Sequence, residues 1–175
     1  MSRKEDGPTQ AREFLSKHGI VLAVVKHLPR TYLDGAAMKG KDGRRIVAVT
    51  LRYDRIDHFW FCLFHELAHV AKHLDADDEP FLDDLSLVAS DDKEKEADRF
   101  AREGLIAEEQ WEEFSRHHDY SPMAVFRFAD KLEIHPAIVA GRIRHEEKNY
   151  RLLSQFVGSG EIRSQFLGSG AQKGA

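Results

Sequence analysis

Cysteine is almost absent from this chain: Cys62 stands alone in 175 residues, which excludes an internal disulfide. Long apolar runs are lacking too. The longest, FWFCLF at 59–64, falls far short of the roughly 20 residues that a membrane-spanning helix needs. Nor is there an excess of charge: 26 Lys and Arg stand against 30 Asp and Glu, and the formal net charge is −4. With a pI near 6.2, the chain offers no general attraction for nucleic acid or membrane, so partners must be recognised locally. The opening MSRKEDGPTQ is polar where a secretion signal needs apolar residues, so the expected location is cytoplasmic. What is present, 42% hydrophobic and 32% charged residues, is the composition of a globular protein with one sizeable core.

Along the chain, Thr9 can cap a helix whose Ala11, Phe14 and Leu15 share one face, with Gly19 placed to end it. IVLAVV at 20–25 and RIVAVTLRY at 45–53 are β-branched runs of strand length. DGAAMKGKDG lies between them, and its turn residues predict an exposed tip. Asp54 and Asp57 resemble a capping arrangement ahead of an apolar helix over 56–74. Residues 75–92 are acidic and contain Pro80, which predicts a loop; a helix then starts near Ser90 or Asp91 and runs through KEKEADRFAREGL. SPMAVFRFADKL and HPAIVAGRIRHEEKNYRLL predict two further helices packed on the first ones, Pro136 opening the second. SQFVGSG and SQFLGSG, from Ser154 and Ser164, are two near copies and too few for a repeat architecture. Residues 158–175 are expected to be mostly flexible tail, with Phe156 and Phe166 as anchors.

The chemistry concentrates in FHELAHVAKH, from Phe64. A helix turns about 100° per residue, so His65 and His69 lie about 40° apart and both imidazoles can reach one ion. Glu66 sits beside them, placed to take a proton from the attacking water without being a ligand. A helix with ordinary, hydrogen-bonded histidines would show the same five residues. A third ligand therefore decides. Asp75 follows His69 by six residues, but Lys72 occupies the place where such a spacing needs a glycine to turn the chain. His73 continues the series on the same helix, and three ligands strung that way span roughly 12 Å, too far to surround one ion. There remains EKEAD at 94–98. On a helical wheel Ala97, Asp98, Ala101 and Leu105 fall within about 60° of Glu94, whereas Glu96 and Glu103 fall near the opposite, solvent side. A carboxylate on an alanine and leucine face must be paired or bound to metal. One turn later, Asp98 can accept the outer N–H of a ligand histidine. The plainer alternatives are a capping box of Glu94 with Asp91 and an ion pair of Asp98 with Arg102.

Taken together, GIVLAVV, RIVAVTLRYDRIDHFWFCLFHELAH and EKEADRFAREGLI resemble the ImmA/IrrE-type metallopeptidases, bacterial and phage zinc proteins of the gluzincin kind. The resemblance covers about 20–144. It implies an α+β fold, a small β-sheet flanked by helices, with one zinc between the HExxH helix and a glutamate helix, and a helical C-terminal part. His65, His69 and Glu94 would be the ligands and Glu66 the general base. The expected organisation is a single domain over 1–157, with a zinc core at about 20–107 and C-terminal helices at about 108–157. Family members act on Xre-like helix-turn-helix repressors, so the implied partner is such a repressor or an antitoxin, on a separate chain. Where many relatives read ELL(M/I)P, GLIA with Gly104 and Ala107 predicts a less firmly defined helix end.

Weaker signals complete the reading. The segment 121–145 has helix-turn-helix spacing and Arg142, Arg144 and Lys148 could meet phosphate, but Asp130, Glu133, Glu146 and Glu147 balance them, so direct nucleic-acid binding is not expected. Cys62 is one turn before His65 and is expected to be a small core residue. Oxyanion donors could be Tyr53, His117, His118, Tyr120 or His135. Two functions follow: a zinc endopeptidase with a specific regulatory protein as substrate, or a zinc-containing module that sequesters the regulator without turnover.

Overall fold

In the computed structural model of the chain, which describes residues 1–27, 30–74, 81–82 and 91–167, the two β-branched runs form a parallel pair. β1 (Ile20–Val25) lies beside β3 (Arg45–Thr50), with Val21 opposite Ile46 and Val25 opposite Thr50. The segment read as an exposed tip is instead a strand. β2 (Gly35–Lys39) pairs antiparallel with β3, and only Gly40–Gly43 makes the turn, Gly43 taking the positive φ of 79° that glycine tolerates. Alanine and glycine made β2 read as loop, yet Ala36 and Ala37 are buried because a helix lies close over them. A two-residue strand, β4 (Phe81–Leu82), adds to β2, and the sheet order is β1-β3-β2-β4. The rest of the acidic stretch, 75–80 and 83–90, lies outside the described residues.

Before the sheet, α1 (Gly7–Lys17) carries Pro8 in its first turn and packs Ala11 and Leu15 against the core, while Phe14 is half exposed. It starts ahead of Thr9. The central element is α2 (Ile56–Lys72), buried on nearly every side between the sheet, α3 (Asp91–Leu105) and α6 (Pro136–Glu146). Its approach to both helices depends on small residues. A Cβ on Gly104 would lie 2.7 Å from the Phe64 ring, and one on Gly141 would lie 2.7 Å from Asp57 Cβ. Gly104 thus lies inside α3, which runs to Leu105, and serves as a close contact and not a loose helix end.

The carboxyl-terminal part is helical, as expected, and includes helices that the sequence did not suggest. α4 (Glu108–Ser115) precedes α5 (Pro122–Lys131), whose Ser121 hydroxyl accepts from Ala124 N, and α6, whose His135 Nδ1 accepts from Ala137 N. Arg142 joins α4 to α6. It donates to Glu146, Glu108 and the Ile106 carbonyl, and its guanidinium lies 4.4 Å from the Trp111 ring centre. Arg142 and Arg144 are thus buried structural cations, spent on internal contacts. The fold is α+β, and among the described residues no helix is long and apolar enough to cross a membrane.

The start of the expected tail is not free. After a 3-10 turn at Ser154–Phe156, Ile56 N donates to the Val157 and Gly158 carbonyls, and Ile162 is fully buried. Asp54, read as a helix cap, uses Oδ1 to accept from Ile162 N and Arg163 N instead. α7 (Arg163–Leu167) then sets Phe166 5.9 Å from Phe59, with Arg12 over the Phe166 ring. Of the two expected anchors, Phe166 meets α2 and Phe156 packs on Phe126, contacts invisible in a glycine and serine composition. Residues 168–175 lie outside the described part. Truncation after Val157 should therefore destabilise the chain markedly, and Ile162→Ala should cost about 2–5 kcal/mol in urea unfolding. An unchanged midpoint would show that this segment does not dock in solution.

Candidate metal centre

α2 brings His65 and His69 to one face and buries both. Their Nε2 atoms are 3.1 Å apart. From α3, Glu94 places Oε2 3.1 Å from His65 Nε2 and Oε1 3.4 Å from His69 Nε2. Tetrahedral zinc, with bonds of about 2.0–2.1 Å, keeps its ligand atoms roughly 3.3 Å apart, so the three distances suit such an ion. His65, His69 and Glu94 form a buried cluster that could bind a metal ion and is compatible with an HExxH-type zinc site.

The outer nitrogens fix which way the inner lone pairs face. His65 Nδ1 is 3.0 Å from Asp98 Oδ1, and a carboxylate can only accept, so Nδ1 carries the proton and Nε2 presents its lone pair inward. That lone pair meets a second imidazole nitrogen and a carboxylate. Burial works against charging His65, yet hydrogen bonds to Asp98 and Glu94, with Glu66 close by, push its pKa up from 6.5 to about 10. The His65 and His69 hydrogen bonds hold the Glu94 carboxyl far below the usual carboxylate range. Without metal, the centre captures a proton in its place. Glu94 is thus engaged with the histidines, and Asp98 with His65 and not with Arg102.

Glu96 keeps its expected solvent side, its side chain 38% exposed, and also makes contacts that the helical wheel did not show. Its side chain returns to α2, where Oε1 accepts from Lys72 Nζ at 2.7 Å and Oε2 lies 3.1 Å from His73 Nε2. The wheel gave the direction of its Cβ but not its reach over the last turn of α2. His73, discounted as a ligand, lies outside the metal-binding group. Asp75 is outside the described residues.

Glu66 is fully buried and lines the same cavity of about 680 Å³ as His65 and Glu94. Gly35, at the start of β2, leaves it room: a Cβ there would fall within 2.8 Å of Glu66 Cδ. Phe61, Leu105, Tyr53 and Tyr150 also line the cavity. Of the five candidate oxyanion donors, Tyr53 is among its lining residues and the other four are not. Instead Tyr120 packs near Phe114 and His135 caps α6. Sequence reasoning missed Tyr150, His145, His58 and Arg102 in the cavity wall, since their elements meet only in three dimensions. Cys62 is a buried core residue, as expected, and its thiol also faces the cavity, 3.4 Å from His58 Nε2.

Glu94→Gln should lower metal affinity sharply, and Asp98→Ala should weaken it about 10- to 100-fold, both read by chelator competition. pH gives a second check. The raised His65 pKa contributes stability to the metal-free chain that is full below pH 6.5 and is lost as pH rises through about 10. Thermal melts of the metal-free chain should fall over that window, and those of the metal-loaded chain should fall less, because the ion replaces the proton. Comparison with protein-family models and with curated proteins found no match to this chain.

Proposed function

We propose that the chain is a zinc-dependent endopeptidase acting on a specific regulatory protein, an Xre-like helix-turn-helix repressor or an antitoxin. The observation that carries the hydrolytic part is Glu66. It is 1% exposed, adjacent in sequence to His65, outside the metal-binding group and exposed to the same cavity. A purely structural zinc site needs no such acid and is normally closed by four protein ligands. Three donors are grouped here among the described residues.

Held by His65, His69 and Glu94, zinc would supply Lewis acidity to a peptide carbonyl and to water. Glu66 accepts the proton of the attacking water as the new carbon–oxygen bond forms, then returns it to the leaving amide nitrogen as the carbon–nitrogen bond breaks. Phe61 and Leu105 provide apolar wall beside the centre and limit competing water. Of the oxyanion donors considered, Tyr53 lines the cavity and would be the one to hydrogen bond a developing oxyanion. The regulator as substrate rests on the resemblance of HELAH and EKEADRFA to the ImmA/IrrE-type peptidases.

Glu66→Gln should keep zinc and fold normally while losing water activation. Incubated with a cognate regulator, wild type should yield discrete fragments and Glu66→Gln should bind the regulator intact; casein should be cut poorly by both. Relief of repression by both proteins with no fragments from either would remove the peptidase and leave the sequestering module.

A further inference from the structure

We propose that His73 and Glu96 are positioning residues that hold His69 in the tautomer whose Nε2 lone pair faces the metal centre, an inference that rests on the metal reading above. The three groups form a chain. His69 Nδ1 lies 2.9 Å from His73 Nδ1, and His73 Nε2 lies 3.1 Å from Glu96 Oε2. Both imidazoles are buried, their side chains 2% and 6% exposed.

Proton bookkeeping along this chain has one solution compatible with a ligand. Glu96 Oε1 takes a hydrogen bond from the Lys72 ammonium at 2.7 Å, and a carboxylate paired in this way can only accept through its other oxygen. His73 must then carry its proton on Nε2, which leaves Nδ1 as an acceptor. His69 Nδ1 must donate to it, so His69 Nε2 is bare and points at His65 and Glu94. The reverse order would put a proton on His69 Nε2, where the metal must bind. Lys72, accepted by the other oxygen of Glu96, fixes the carboxylate at the far end. His65 obtains the same result from Asp98 directly. Each histidine of the pair therefore has its own carboxylate on α3, one at first hand and one through a second imidazole.

A merely structural His73, which also caps α2 through its backbone N–H, would leave tautomers and metal affinity untouched when its ring is replaced. Long-range nitrogen–proton spectra of the full metal-free chain should show His69 protonated at Nδ1 and His73 at Nε2. His73→Leu should weaken zinc binding about 10- to 100-fold in chelator competition while the melting temperature of the metal-free chain stays near wild type. His73→Asn, whose side-chain oxygen can take the Nδ1 proton, should recover most of the affinity. Glu96→Gln, at a half-exposed position where folding is not at risk, supplies an amide N–H that permits the reverse order and should produce a His69 population protonated at Nε2. His69 protonated at Nε2 in the wild-type metal-free chain would overturn the proposal, as would unchanged zinc affinity in His73→Leu and unchanged tautomers in Glu96→Gln. If wild type takes up no zinc, the metal reading fails on its own, and the tautomer spectra still decide the positioning role.

Discussion

Two imidazole nitrogens 3.1 Å apart, both turned toward one carboxylate, cannot be left empty inside a protein. Each lone pair repels the others where little water screens them, and the arrangement persists only around a proton or a cation. Much of the fold serves that convergence. α2 has to be rigid and buried to hold His65 and His69, and α3 has to come close enough for Glu94 to reach both. Ala97, Ala101 and Gly104 make the approach possible by removing bulk from the face of α3. A larger residue at Gly104 would meet Phe64 and push the glutamate away from the pair.

The same demand explains the unusual embedding of α2. A helix that carries histidines and glutamate at its centre cannot rely on those residues for apolar burial, so its flanks supply it: Ile56, Phe59, Trp60 and Leu63 on one stretch, Val70 near the other end. Sheet, α6 and the returning segment at 157–167 each cover part of this surface. Closure at the amino end comes from backbone and side-chain bonds of Asp54 and Ile56 to that returning segment. The carboxyl end is held by the contacts of Lys72 and His73 with Glu96. Fixed at both ends, α2 leaves His65 and His69 little room to move apart.

What could be read from the sequence was what depends on local geometry. Helical angle placed His65 beside His69, and it put Glu94, Ala97, Asp98 and Ala101 on one face of α3; the structure brings Glu94 and Asp98 to His65 as that angle requires. β-Branched runs gave β1 at its bounds and β3 at its start, the run continuing to Tyr53 where the strand ends at Thr50. Signals that depend on tertiary contact failed. β2 is built from glycine, alanine, methionine and lysine, a poor strand composition, and exists because α2 needs a flat neighbour with no side chain in front of Glu66. α4 lacks an apolar stripe, and a single buried Trp111 ties it down through Arg142 and Glu146. Ile162 and Phe166 sit among glycine, serine and charge, where composition argues for disorder and docking argues otherwise.

The unequal support of the two histidines follows from charge. Glu94, Glu66 and Asp98 already place three carboxylates around the pair, one more than a divalent ion neutralises. A fourth set directly against His69 would add its repulsion to all three inside a poorly screened cavity. Interposing His73 passes on the hydrogen-bond preference of a carboxylate while keeping the charge one ring farther out. There Glu96 is half exposed and neutralised by Lys72, whose ammonium also lies over the Phe100 ring. His65 can accept a direct partner because Asp98 is itself 42% exposed and partly screened by water. His69, 2% exposed, has no such outlet, so its orientation is set through a neutral relay and its carboxylate is left where solvent and a lysine can stabilise it.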